Sequence, residues 1–403
     1  MKPHAGSALI QSILDPLELP DSGYEQAAVR YQDLGAWLCR ADSSCAQFGP
    51  HVFPQGSFRL GTAVRPLHAR EEYDLDLACE LSVGLAKHVH TQRFVKELVG
   101  TEIEAYCVAR GIRSAKEEKH RCWRLEYADH LSFHMDIVPC IPEAPPRRQA
   151  VKEAMVRSGA ESGLAEALSR LTVALTDDRH PGYDRICDDW HISNPEGYAR
   201  WFESRMRLAS GLLLERATLL KAASIDDLPV YRWKTPLQQV VQLLKRHRDQ
   251  MFREAPDLKP VSVIITTLAG RAYSGEADVA SALGAVLSGI EGSVRADRPR
   301  IPNPVDPEED FADRWARPEC RHLRLEKNFW DWVTQVKSDF ALLGTAADAR
   351  FIAEQTRQKL AVTVDVAALS QLPGLRDSSA SNAVPKLHAI PSTPPKLWGP
   401  ASR

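Results

Sequence analysis

Two aspartates, Asp74 and Asp76, stand two residues apart in Tyr73-Asp74-Leu75-Asp76-Leu77. On a β-strand alternate side chains share a face, so both carboxylates would project together while Tyr73, Leu75 and Leu77 face the other way. Two ionised carboxylates side by side repel, so one stays protonated or both meet a cation. A hard, oxygen-seeking ion such as Mg²⁺ suits them, because it takes one or two carboxylates together with substrate phosphates. Alone, Asp-x-Asp is better read as a solvated strand face.

A third aspartate changes the weighing. Asp136 lies in Phe133-His134-Met135-Asp136-Ile137-Val138-Pro139, a second strand pattern. An aspartate among such apolar neighbours needs a partner. If the two strands pair, Asp136 completes a three-carboxylate cluster that can position two metal ions for in-line phosphoryl displacement. Upstream lies Pro54-Gln55-Gly56-Ser57-Phe58-Arg59. Gly56 would let the backbone approach a phosphate, and the Ser57 hydroxyl and turn N–H groups suit an anion. An ordinary turn with Ser57 as a helix cap is the plainer reading of that segment alone. Together with the aspartates it points to nucleotidyl transfer.

These residues need a scaffold. The pattern predicts strands at Tyr73–Leu81, Cys122–Tyr127 and Phe133–Val138, with a helix over 89–110 between them. A long N-terminal helix is expected over 22–46, its buried stripe including Ala27, Tyr31, Leu34 and Leu38. Beyond residue 145 the period is helical, at 148–157, 160–175, 195–222, 236–253, 260–272, 276–289, 320–343 and 346–359. Pro236 suits the first turn of its helix, where its missing N–H costs little. Trp190, Trp201 and Trp233 read as core residues. The stretch from about 376 to 403 is Pro-rich, lacks a helical period and reads as a disordered tail.

The chain has 403 residues with 44% hydrophobic and 26% charged, enough for a substantial core and two or three domain-sized units. Its formal net charge of -2 does not mark a polyanion binder, although a local basic cleft can hide under a neutral total. The eight cysteines form no C-x-x-C pair, which argues against a zinc site or a disulfide framework and fits the reducing cytoplasm. No run approaches the 18 apolar residues that a membrane span needs.

Gly-Ser, then Asp-x-Asp, then a distant Asp resembles the DNA polymerase β-type nucleotidyltransferase superfamily. The fuller wording is closer to the bacterial cGAS/DncV-like nucleotidyltransferases, the oligonucleotide cyclases of CBASS antiphage systems. It is carried by Gln55-Gly56-Ser57-Phe58-Arg59-Leu60-Gly61-Thr62, Tyr73-Asp74-Leu75-Asp76-Leu77 and His134-Met135-Asp136-Ile137-Val138-Pro139. In the helical half it continues through Ser193-Asn194-Pro195-Glu196-Gly197, Lys234-Thr235-Pro236-Leu237, Leu243 to Asp249, Pro260 to Thr266 and Asn303-Pro304, spanning roughly 45–360.

The resemblance implies an α+β, two-lobed enzyme: a mixed β-sheet palm, a mostly helical second lobe and an active site in the cleft. It divides the chain into a nucleotidyltransferase core (1–220), a helical lobe (221–375) and the tail (376–403). It implies synthesis of a cyclic di- or trinucleotide from ATP and other NTPs with two Mg²⁺ ions, Mn²⁺ being an alternative, held by Asp74, Asp76 and Asp136. It places a triphosphate-contacting lysine at Lys245, where an exposed helix charge is the bland alternative. Ser262 could donate to the same triphosphate or simply cap its helix. Arg59 could pair locally or reach phosphate, and His134 could support Asp136.

The tail could be captured by a HORMA-type regulator or conjugated by an associated transferase; its Gly399-Pro400-Ala401-Ser402-Arg403 end fits conjugation poorly. Two rivals remain open: a transferase modifying protein or RNA ends, and a catalytically silent nucleotide sensor.

Overall fold

The computed structural model describes residues 3–68, 73–112, 116–127, 133–207, 225–226 and 233–376, with side chains from residue 7 onward. The tail beyond 376 and the expected helix from residue 208 onward lie outside these.

A mixed seven-stranded sheet forms the palm. Strand β1 (Pro50–Gln55) runs antiparallel to β2 (Tyr73–Leu81), and β2 lies parallel to β5 (Phe133–Pro142). On the other side of β5 come β4 (Trp123–Tyr127) and then β3 (Glu117–Glu118), both in antiparallel pairings. The far end of β5 is extended by β6 (Val173–Leu175) and β7 (His191–Ser193).

The alternation in β2 and β5 sorts the two faces. Leu75, Leu77, Met135 and Ile137 turn inward against α2 (Asp21–Cys39) and α4 (Gln92–Arg110), whose Tyr31, Leu34, Val99 and Ile103 complete one apolar core. Thr91 caps α4 by accepting from the Phe94 N–H, and Gly111 ends it with a φ of 63°. The opposite face carries the polar residues and looks into the cleft.

A second core belongs to the helices α8 (Pro236–Met251), α9 (Ser262–Ala272), α10 (Val279–Gly289), α11 (Leu325–Thr345) and α12 (Ala349–Leu360). The opening helix α1 (Pro3–Leu14) and α7 (Pro195–Met206) pack into this core through Ile13, Leu14, Ala199 and Phe202. Helix α8 starts with Pro236 in its first turn and a full capping box between Thr235 and Gln238.

One face of α8 seams the lobes together. Gln238 Nε2 donates to the Leu60 carbonyl (2.9 Å), Gln242 Nε2 to that of Ala63 (2.7 Å) and Lys245 Nζ to that of Thr62 (3.1 Å). Arg246 donates to the Arg65 carbonyl. These positions follow the i, i+4, i+7, i+8 spacing of one helix face, and their four partners are backbone carbonyls at the end of α3 (Gly56–Leu60) and in the loop after it.

Several expectations change. The 22–46 helix ends at Cys39 and is preceded by α1. The expected 160–175 helix stops at Ser169 in α6 (Ser162–Ser169), because Val173 to Leu175 pair with the far end of β5. The expected 320–343 helix begins at Leu325 after a 3-10 turn. Trp190 is buried and Trp201 packs partly buried against the core, but Trp233 is 89% exposed.

Candidate active site

The register sets the site. Asp76 of β2 lies beside Asp136 of β5, and Asp74 beside His134. Residues paired across neighbouring strands share a face, so these four side chains stand together on the cleft side. Arg124 of β4 joins them opposite Asp136.

Each carboxylate meets a different environment. Asp74 is exposed to the cleft and pairs with His134 Nε2. Burial opposes its charge, but that hydrogen bond and the His134 charge prevail and hold its pKa below the ordinary value. Asp76 lies deeper and half-buried. Burial first, then repulsion from Asp74 and Asp136, pushes its pKa up to about 7. Asp136 accepts a bidentate pair from Arg124, Nε to Oδ1 and Nη2 to Oδ2, each 2.7 Å.

The expected three-carboxylate cluster therefore takes a modified form. The three aspartates are neighbours, but Asp136 is locked on an arginine that the sequence did not single out. His134 supports Asp74, where support of Asp136 was considered. Among the described residues no three His, Cys, Asp or Glu side chains are set around one ion position. A complete protein cage is absent, yet the donor chemistry fits a hard divalent cation. Asp76 is a carboxylate that forms no salt bridge among the described residues, although Lys245 and Arg124 draw on its charge from a distance, and beside it stands a second carboxylate open to the cleft. Such an ion completes its shell with water and substrate phosphate.

The Gly-Ser turn is fitted to the aspartates. Gly56 opens α3 with a φ of 66°, and a Cβ there would stand 2.1 Å from Asp76 Oδ2. The glycine thus meets two demands, a left-handed backbone and room for a carboxylate. Ser57 follows and faces the same cleft. Arg59 is committed elsewhere: Nε and Nη2 donate to Glu196 at 3.2 Å, and Nη1 donates to Glu203, both on α7.

The helical lobe supplies the facing wall. A cleft of about 440 Å³ is lined by Gly56, Ser57, Asp74, Asp76, Lys245 and Ser262 together. Lys245 is buried, not a solvated helix charge, and its Nζ also reaches Thr62 Oγ1 at 3.2 Å. Burial, reinforced by Arg248, lowers its pKa to about 7 against the pull of Asp249 and Asp76. Ser262 is the first residue of α9 after the N-cap Val261, and its Oγ accepts from Arg248 Nη1 at 2.9 Å.

The cleft also holds residues that sequence reasoning missed: Tyr198 on α7, Phe311, and Glu309 on β9 (Asp306–Asp310). Asn303, on β8 (Pro302–Asn303), belongs to the motif set but carried no assigned role. A second cavity of about 530 Å³ adjoins the first, sharing Ser57, Asp74 and Ser262. Arg65, Arg246, Arg248, Arg253, Lys259 and Arg314 line it against Asp74, Asp249 and Asp257, so it is basic on balance.

Residues 50–139 match the nucleotidyltransferase-domain family described as cyclic GMP-AMP synthase DncV-like. The segment runs from β1 to within β5 and contains Gly56, Ser57 and all three aspartates. The chain is 25% identical over 338 residues to a c-di-GMP synthase of Roseivirga ehrenbergii, covering 82% of this chain and 77% of that protein. Residues 50–139 are thus similar to the DncV-like nucleotidyltransferase domain, and the chain as a whole is similar to cyclic dinucleotide synthases.

This nucleotidyltransferase is also 24% identical over 334 residues to the cyclic dinucleotide synthase CdnG of Bradyrhizobium diazoefficiens, covering 80% of this chain and 73% of the relative. The solved structure of Bradyrhizobium diazoefficiens CdnG with GTP shares its fold, with a TM-score of 0.61 at 20% identity over 90% of this chain and 96% of that one. A CdnC:HORMA-deltaN complex from E. coli MS115-1 gives a TM-score of 0.56 at 14% identity, covering 89% and 98% of the two chains. The α+β fold is thus shared with these solved structures, and the DncV-like nucleotidyltransferase family is metal-dependent.

Proposed function

We propose that this enzyme joins NTPs, ATP and GTP among them, into a cyclic di- or trinucleotide that signals in antiphage defence. The observation that carries the reading is the meeting of two cavities at Asp74. A reaction that joins two nucleotides must hold both and bring a hydroxyl of one to the α-phosphate of the other. One cavity faces Gly56, Ser57 and Lys245, and the other is basic enough for a second set of phosphates.

Asp74 and Asp76 hold the cations, which we take to be Mg²⁺. Bound there with the triphosphate, such ions neutralise its charge and favour ionisation of the attacking hydroxyl. Gly56 and Ser57 cradle the triphosphate, with Lys245 and Ser262 contacting it from the helical lobe. Asp136 accepts the hydroxyl proton once Arg124 releases one oxygen, and the carboxylate so freed would also be available to hold a cation. Pyrophosphate leaves, and a second transfer in the same site closes the ring. A HORMA-type regulator or a conjugating transferase is a candidate partner for residues 376–403. Among the described residues no helix is long and apolar enough to cross a membrane.

The test is direct. The protein is incubated with labelled NTPs and Mg²⁺, then with phosphatase. A small phosphatase-resistant product supports the reading, and its loss in the Asp74→Ala, Asp76→Ala double variant assigns the site. Label retained only on protein or RNA would favour an end-modifying transferase. Binding without product under any condition would favour a silent sensor.

A further inference from the structure

The two-metal scheme leaves the choice of base open, and one pair of side chains in the cleft bears on it. Asn303 is buried, 4% exposed, and its amide is engaged at both ends. Oδ1 accepts from the Val305 N–H at 3.0 Å, and Nδ2 donates to Glu309 Oε2 at 2.7 Å. Asn303 thus serves to orient Glu309. No lysine, arginine or histidine among the described residues forms a salt bridge to Glu309, and its Oε1 receives no protein hydrogen bond there. Glu309 lines the cleft that holds Ser57 and Asp76. Beside it stand Tyr198 and Phe311, rings 5.9 Å apart and edge-to-face, offering aromatic surface to a base.

We infer that Glu309 is a specificity-determining residue, whose carboxylate selects a guanine nucleotide by accepting the N1–H and N2–H donors of the base. The argument is one of matching. An ionised carboxylate only accepts, and its two oxygens can take two parallel donors. Guanine presents two adjacent donors on its Watson–Crick edge. Adenine and cytosine each present one donor beside a ring nitrogen that repels the carboxylate, and uracil sets one donor between two carbonyls. A fixed carboxylate that lacks its donors loses strength against every base but guanine. Glu309 is open to the cleft, and desolvation of its carboxyl holds its pKa above the ordinary value despite the Asn303 bond. The inference rests on the proposed nucleotidyl transfer in this cleft.

The experiment compares GTP, ITP and ATP binding to the full chain by calorimetry, with Ca²⁺ in place of Mg²⁺ to suppress turnover. ITP is guanine-like but lacks the exocyclic amine. Wild type should bind GTP about tenfold more tightly than ATP, with ITP between them. Glu309→Gln, which offers one donor and one acceptor, should shrink the GTP-to-ATP ratio to roughly threefold or less. Equal GTP and ITP affinities in the wild type would overturn the inference without any variant. A wild-type ratio retained in Glu309→Gln would overturn it too. Pyrophosphate release with Mg²⁺ separates the two levels. Release from ATP alone and not from GTP refutes guanine selection and leaves nucleotidyl transfer standing. No release from any NTP mixture, with no nucleotide bound, refutes both.

Discussion

Gly56 and Asp76 occupy space that no larger pair could share: a Cβ on the glycine would stand 2.1 Å from the carboxylate oxygen. The phosphate turn and the carboxylate strand are therefore fitted to each other. Gly56→Ala adds a left-handed backbone penalty of roughly 1–2 kcal/mol and forces Asp76 to move. Thermal unfolding should fall by about that amount. Pyrophosphate release should drop by about 100-fold, since a displacement near 1 Å at reacting groups has that effect.

Asp76 makes the metal-free protein sensitive to pH. Its pKa is raised to about 7, against an ordinary unfolded aspartate near 3.9. Between those values the folded state holds a proton that the unfolded state has lost. Its contribution to stability is thus fully present below about pH 4 and lost as pH rises through about 7, at about 1.4 kcal/mol per unit of displacement as an upper limit. Urea unfolding in chelator should show that decline, and Asp76→Asn should flatten it. Mg²⁺ should restore stability at pH 8 in wild type alone.

Lys245 predicts the opposite proton traffic on nucleotide binding. It is buried, with a pKa lowered to about 7, so at pH 8 it is mostly neutral in the free enzyme. A triphosphate beside it favours the charged form. Binding at pH 8 should therefore take up close to one proton, read from calorimetry in buffers of differing ionisation enthalpy. Lys245→Met should abolish the uptake and raise the KM for NTP. Its fold should lose roughly 1–3 kcal/mol, because the buried Thr62 carbonyl is left without its donor.

Arg124 and Asp136 give the sharpest mutational contrast. Asp136→Asn should lower turnover by at least about 100-fold. Arg124→Ala frees the carboxylate instead of removing it. It should reduce turnover by only about 10–100-fold while lowering the Mg²⁺ concentration needed for half-activity. A metal requirement unchanged in Arg124→Ala would remove the role proposed for the arginine as Asp136's keeper.

The difference between what was legible and what was not follows the range of the interactions. Asp74 and Asp76 could be read because period-two alternation is local and β2 obeys it along its length. Strand β1 escaped because Pro50 and Pro54 interrupt the pattern; prolines are tolerated there because β1 is an edge strand in the path of the sheet. The 160–175 segment was misread because the pairing of Val173 to Leu175 with β5 overrides local preference. Arg124 carried no signal, since only the register with β5 brings it to Asp136. Glu309 lies far along the chain from Ser57 and reaches the cleft through the packing of the lobes. Trp233 shows the limit of composition, an aromatic expected in the core and found on the surface.

The seam on α8 bears on how such a chain can drift over generations. Its four side chains bind carbonyl oxygens, which every residue type carries. A change of side chain at residues 60, 62, 63 or 65 therefore leaves those four carbonyl bonds in place, and what limits it is the packing of buried Leu60, Thr62 and Ala63, whereas a change at Gln238, Gln242, Lys245 or Arg246 breaks one at once. Natural variants should keep the size of the side chains at residues 60, 62 and 63 while varying their identity, and should keep identity itself on that face of the helix.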